Sequence, residues 1–286
     1  MPKHLIITAD DFGLHEAVNE GVEFAARNGV LTAASLMVAA PAAADAVRRA
    51  ARIKNLNVGL HLVLADGRAV LEPSAAPDLT DAAGNFGNRM VYDAVRFFLI
   101  PRVRKQLEAE IRAQFAAFAR TGLQLDHVNA HKHFHLHPTI LEIVLRVARD
   151  YGTPAIRVPK EPLWFALRHR AGANAGFLTP WLALMKWKLR RAGVSCNDTV
   201  FGVAASGAMD EATLLQVLAR LPPGVTEIYL HPATVSGATV ASGMLEYRQK
   251  DELAALISHR VRNAIADSGA VLGGFRDCLS ARSAAA

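Results

Sequence analysis

The sequence predicts an α/β fold, a distorted (β/α) barrel in a single domain. Three observations predict it. Apolar runs alternate with amphipathic helical stretches along the chain, the pattern of βα units around a parallel sheet. Roughly seven such units in 286 residues suit a closed or nearly closed barrel better than an open sheet. Five of the runs also end in polar residues able to do chemistry: Asp10 with Asp11, His61, His131, Arg157 and His231. The C-terminal ends of the strands are where a βα barrel keeps its site.

The elements follow in order. Residues 4–10 (HLIITAD) are almost continuously apolar, as in a strand buried on both faces. Val18, Val22, Phe24 and Ala25 are spaced for one apolar helical face. Residues 31–40 predict a second strand, 41–53 an alanine-rich helix, and 58–64 (VGLHLVL) a third strand. A loop rich in Pro, Asp and Gly covers 65–89, and a long helix runs from about Val103 to Ala119. Strands at 125–131 (LDHVNAH) and 154–159 (PAIRVP) flank a helix over 137–152. Near the end, strands at 226–232 and 270–275 flank one helix over 250–269. No repeat or low-complexity linker divides the chain, so the domain spans 1–286.

Composition narrows the function classes. At 51% hydrophobic and 20% charged residues, the chain reads as a folded enzyme rather than a disordered segment. The start carries no secretion signal, and no window of about 18 apolar residues predicts a membrane-spanning helix. Cys196 and Cys278 are too few for a disulfide framework and fit a reducing cytoplasm. The charge of +6 permits an anionic partner. The basic residues are mixed with aliphatics and no nucleic-acid motif is present, so nucleic acid is not the expected partner.

Asp11, His61 and His131 offer one carboxylate and two imidazoles, an open-sided set of the kind a hydrolytic metal uses. Asp10 diverges from Asp11 along a regular strand, but at a frayed end it could reach a metal-bound water as base. A plainer use of Asp11 is to cap a helix starting near Leu14, and His61 could be a core histidine. Five histidines at 127, 131, 133, 135 and 137 share one face of an extended chain. Five imidazoles make a poor apolar core, which favours a metal or acid–base role. We read His131 as the ligand, His133 and His135 as supporting or substrate-binding groups, and His137 as a cap before Pro138. Arg157, unless a surface arginine, would hold Asp10 ionised. His231, unless structural, would protonate a leaving amine.

The stretches ITADDFG, GLHLVL, HVNAHKHFHLHP, IRVP and YLHP, in this order, resemble the YdjC-like (ChbG-like) carbohydrate deacetylases over about residues 4–275. That resemblance implies a fold related to NodB-type polysaccharide deacetylases. It also implies a divalent metal on Asp11, His61 and His131, with Asp10 as base. Arg157 and His231 carry over by analogy with the more distant NodB-type enzymes. Magnesium is the metal the resemblance implies, whereas the donor set alone suits zinc at least as well. KHLIITADDFGLHEAVNEGVE and GVLTAASLMV further resemble the branch associated with hopanoid biosynthesis, which implies an N-acetylglucosaminyl hopanoid as substrate.

Residues 161–193 predict a helical insertion holding Trp164, Trp181 and Trp187 among Arg168, Arg170, Lys186, Lys188, Arg190 and Arg191. That is the composition of a helix lying at a membrane surface, or of an insertion packing its aromatics on the barrel. Residues 96–105 (RFFLIPRVRK) would form the other lip of a lipid-accepting groove. The expectation is a metal-dependent N-deacetylase of an N-acetylated amino sugar carried by a hopanoid, at the inner face of the cytoplasmic membrane. Two other readings are deacetylation of soluble chito-oligosaccharides and a non-catalytic, membrane-peripheral protein that holds a lipid headgroup.

Overall fold

Strand β1 (Lys3–Phe12) is buried along nearly its whole length and lies at the centre of the sheet. The other strands are β2 (Ala33–Leu36), β3 (Asn57–Leu62), β4 (Leu125–Ala130), β5 (Thr199–Phe201), β6 (Gly224–Leu230) and β7 (Val271–Leu272). The computed structural model describes residues 2–169 and 178–284. All the strand pairs run parallel, in the order β4-β3-β2-β1-β6-β5. Strand β7 pairs with His4 and Leu5 of β1.

The helices are α1 (Glu16–Asn28), α2 (Ala43–Ala50), α3 (Met90–Leu99), α4 (Pro101–Arg120), α5 (Pro138–Asp150) and α6 (Leu163–Arg168). They continue with α7 (Thr179–Arg191), α8 (Glu211–Leu218), α9 (Gly237–Val240), α10 (Gln249–Ile257), α11 (His259–Ser268) and α12 (Phe275–Ala284). None of the described helices is long and apolar enough to cross a membrane.

The barrel is incomplete because its last side lacks continuous ladders. Between β4 and β5 the chain makes only single bridges, Val128 to Ile156 and Ala155 to Ser195, and Val200 N–H donates to Lys160 O. Residues 154–159, expected as a strand, therefore contribute bridges alone. Pro154 and Pro159 bracket that segment and have no N–H to extend a ladder.

Inside the barrel, alternate strand residues form layers. Ile6, Ala33, Ala155 and Val225 pack at the bottom against Phe275, Cys278 and Leu279 of α12. Above them the interior turns polar: Thr8, Ser35, His127, Asn129, Arg157 and Glu227 are all fully buried and hydrogen-bonded within this layer. Strand periodicity thus carries polar groups up to the C-terminal rim.

Three further expectations need correction. The helix over 250–269 is two helices, because Ser258 takes an extended conformation (φ −64°, ψ 130°) and caps α11 with its hydroxyl. The extended chain through the histidine run stops at Ala130; residues His131–Leu136 form a 3₁₀ turn with Lys132 and His133 at φ 53°. Helix α3, strand β5 and helices α8, α9 and α12 occupy stretches with no expected element.

Candidate active site

Asp10 and Asp11 both reach the rim because β1 breaks its alternation there. The register against β2 shifts between Ala9 and Phe12, and Asp11 sits at φ 61°. A non-glycine residue in this left-handed region costs about 1–2 kcal/mol. The other non-glycine residues with positive φ among those described are Asp66, Lys132 and His133, and all three line a cavity at the rim that Asp10 also lines. Asp11 is not a helix cap. His15 caps α1 instead, accepting from Ala17 N–H, and Gly13 (φ 97°) makes the turn between them. A Cβ on Gly13 would lie 3.2 Å from Ala43 Cα, so the turn needs glycine twice over.

His61, at the end of β3, and His131, just past β4, converge on Asp11. Asp11 Oδ1 lies 3.2 Å from His61 Nε2 and 3.1 Å from His131 Nδ1. One donor atom from each of the three residues falls within 4.8 Å of the others. Asp11 Oδ2 and His61 Nε2 are buried with no hydrogen-bond partner, unusual for atoms this polar. The charges tell the same story. Arg157 serves Asp10 and Glu227, while buried Asp11 has only histidines beside it, so the cluster holds more negative than fixed positive charge. Two imidazoles, a carboxylate and orphaned donor atoms fit a divalent cation.

Arg157 is fully buried beneath Asp10. Its Nη1 and Nη2 donate to Asp10 Oδ2 and Oδ1 at 2.5 and 3.0 Å, and its Nε and Nη2 donate to Glu227 at 2.9 and 2.6 Å. Burial opposes charge on Asp10, yet the Arg157 guanidinium, helped by His61 and His231, holds the carboxyl well below the usual carboxylate range. Burial likewise opposes charge on Asp11, and the neighbouring histidines outweigh it.

His231 follows β6 and faces Asp11, Nε2 to Oδ2 at 3.9 Å. Its backbone N–H donates to the buried carboxylate of Glu252 at 2.5 Å, and Tyr247 packs on its ring at 5.0 Å. Asp10, His61, His131, His133, Tyr229 and His231 line a cavity of about 490 Å³ with apolar walls that include Leu14, Met37, Val63 and Met244. Lys132 and Asp66, which also line it, pair with each other at 2.7 Å.

The five histidines of the run part company. His133 lines the cavity, with Nε2 3.1 Å from Tyr229 Oη, and burial beside Arg157 holds its imidazole neutral. His135 lies behind the site and donates from Nε2 to Arg157 O at 3.0 Å. Burial, with the Arg157 charge, pushes its pKa down to about 4. His127 sits deep in the barrel between Asp126 and Ser35. His137 occupies the N-cap position of α5 but makes no capping bond; its ring packs on Phe97 and Phe98.

Two tryptophans of the 161–193 segment are engaged with the barrel. Trp181 Nε1 donates to Leu136 O at 2.9 Å, and Trp164 packs on Phe165 and Phe201 with Arg220 over its ring. Trp187 is exposed beneath Arg191. Arg170 lies outside the described residues.

The sequence reading missed Asn129, Glu227, Tyr229 and Glu252. Glu227 carried a usable signal as a polar residue within the largely apolar β6, and Asn129 shares its strand parity with His127 on β4.

The chain is similar to several known proteins. A carbohydrate deacetylase of Brevibacillus brevis is 42% identical over 155 residues, 54% of this chain and 59% of that protein. A chitooligosaccharide deacetylase of Yersinia pestis is 31% identical over 282 residues, covering 97% of this chain and all of the relative. A crystal structure from Enterococcus faecalis V583, of a protein described as a cellobiose-phosphate cleavage protein, superposes with a TM-score of 0.76 at 25% identity, covering 97% of this chain and 99% of that one. The YdjC-like protein profile matches residues 4–267, nearly the whole chain, so the protein belongs to the YdjC-like family.

Proposed function

We propose that the protein removes the acetyl group from an N-acetylated amino sugar, as a metal-dependent N-deacetylase. One observation carries the reading: an ionised carboxylate clamped by Arg157 stands beside the Asp11, His61 and His131 cluster at the wall of a sugar-sized cavity. The names of the relatives, carbohydrate deacetylase and chitooligosaccharide deacetylase, support the substrate class. Asp11, His61 and His131 would hold the ion, with zinc as well suited as magnesium to their donors. When bound, it supplies Lewis acidity toward the acetyl carbonyl and lowers the pKa of a water.

The chain's own residues do the rest. Asp10 accepts the proton of the attacking water, and Arg157 keeps Asp10 anionic and oriented. His231, across the cluster, gives a proton to the departing amine. The products are acetate and a free amino sugar. His133 and Tyr229 face the cavity where the sugar ring would lie.

A second reading places the sugar on a lipid, a hopanoid glycolipid in the form the sequence suggests. It is favoured by an apolar surface on α3 and α7. Val91, Tyr92, Val95, Phe98 and Leu99 of α3 are exposed, as are Leu184 and Trp187 of α7. Both helices border the same turn, Phe98 against His137 and Trp181 on Leu136 O.

The test is a mass spectrum of purified protein with N,N′-diacetylchitobiose and, separately, with an N-acetylglucosaminyl hopanoid in vesicles, each with and without chelator. Chelator-sensitive loss of one acetyl from either establishes the chemistry, and the preferred substrate selects between the readings. Vesicle binding with no acetate released would overturn the enzymatic assignment.

A further inference from the structure

A row of buried hydrogen bonds runs from the C-terminal helix up to the candidate site, and its direction is fixed at every step. Asp126 accepts the backbone N–H groups of Phe275 and Arg276, at 3.1 and 2.9 Å, at the start of α12. It also lies 2.9 Å from His127 Nδ1. A carboxylate only accepts, so His127 Nδ1 carries the proton and donates. His127 Nε2 is then an acceptor, and its neighbour at 3.0 Å is the hydroxyl of Ser35, which donates to it. Were Nε2 to carry the proton instead, Ser35 would have two donors aimed at its oxygen and no acceptor for its own hydrogen.

The row continues through Asn129. Its Nδ2 donates to Ser35 Oγ at 2.9 Å and to Asp10 Oδ1 at 3.0 Å. The amide oxygen is left facing His61 Nδ1 at 2.6 Å. An amide oxygen cannot donate, so His61 Nδ1 carries a proton, and in the neutral ring the free lone pair is then that of Nε2, toward Asp11. From Asp126 to His61, no side chain in the row is more than 3% exposed.

The His127 ring is held on both faces. Phe275 stacks on it at 4.5 Å, and β3 passes so close that a Cβ on Gly59 would fall 2.5 Å from the ring. The anchor at Phe275 and Arg276 lies beyond the residues matched by the family profile.

We infer that Ser35, His127 and Asp126 are positioning residues that act through Asn129 to fix the tautomer of His61 and present its Nε2 as a ligand. The inference rests on the proposed metal reading of Asp11, His61 and His131. It assigns a role to the polar middle of the barrel, where the strands deliver both the ligand and the orientation of its lone pair. Partners behind a metal-binding histidine commonly set its affinity in this way.

Two readouts test it, one of them free of metal. In metal-free protein at mildly alkaline pH, ¹⁵N NMR of the His61 ring reports a single Nδ1–H tautomer in the wild type. Ser35→Ala strands one Asn129 hydrogen and gives a mixture of tautomers. In a competition titration with Co²⁺, Ser35→Ala binds about 10- to 100-fold more weakly than wild type. Ser35→Thr, which restores a hydroxyl, returns both readouts toward wild type. A merely structural role would lower the urea midpoint without moving the tautomer.

Ser35→Ala that keeps the single tautomer and wild-type Co²⁺ affinity overturns the inference. If Ser35→Ala does not fold, Asp126→Asn is read on the same two measurements. A wild type that takes up no Co²⁺ defeats the metal reading instead, and the metal-free tautomer still decides the relay.

Discussion

Arg157 holds both oxygens of Asp10, at 2.5 and 3.0 Å, while the rest of its guanidinium engages Glu227. It does so with no exposure to solvent, and Tyr229 covers its face at 4.6 Å. A single cation between two buried carboxylates has no substitute in water. Arg157→Met should therefore leave two unpaired buried charges and cost about 3–5 kcal/mol in urea unfolding. Adding Glu227→Gln to that variant should recover part of the loss. A loss below about 1 kcal/mol would mean that solvent reaches the triad.

The two adjacent aspartates separate by their partners: Asp10 faces Arg157 and Asn129, Asp11 faces His61 and His131. Asp10→Asn should keep Co²⁺ affinity within a few-fold yet lower deacetylation about 10²–10⁴-fold, the usual worth of a general base. His131→Ala should lose the ion itself. Equal Co²⁺ affinity in the two variants would end this division of roles.

Much of this was legible in the sequence, and the misses have physical causes. Strand β1, strand β3 and helix α4 announce themselves because a buried strand needs an unbroken apolar run and a long helix a repeating face. Asp11, His61 and His131 stood out because polar residues at strand ends are seldom idle. The histidine run misled because shared parity means a shared face only in extended chain, and Lys132 and His133 leave that conformation at once. The break at Ser258 was hidden because serine ends one helix and caps the next without a proline or glycine to mark it. Strand β5 has three residues, too few to show a period. Arg157 was legible as a partner for Asp10, but its second partner Glu227 lies 70 residues away on strand β6, and only the fold brings them together.

His135 gives the pH dependence a sign. Burial and the Arg157 charge lower its pKa from the ordinary 6.5 to about 4 in the folded protein. The unfolded chain therefore takes up a proton at a pH where the folded one does not. The contribution to stability is whole above pH 6.5 and is lost as pH falls toward 4, on the order of 3 kcal/mol in total. His135→Gln keeps a donor for Arg157 O and has no such titration. Between neutral pH and pH 4, the wild type should lose about 3 kcal/mol more stability in urea unfolding than the variant does. Parallel curves would show that the ring titrates freely in the fold.

Asp11 allows the strain at the site to be measured by a change of sign. In ordinary strand geometry glycine is less stable than alanine by about 0.5–1 kcal/mol. At φ 61° the order should reverse, because alanine carries a Cβ into the following carbonyl and glycine does not. Asp11→Gly and Asp11→Ala remove the same carboxylate and the same contacts with His61 and His131, so those terms cancel between them. The glycine variant should be the more stable by about 1 kcal/mol in urea, and neither should hold Co²⁺. That outcome would mean that β1 accepts strain at this residue to aim a carboxylate that a relaxed strand would turn away. An alanine variant as stable as the glycine one would place the strain elsewhere and leave the kink to be explained by packing against β2.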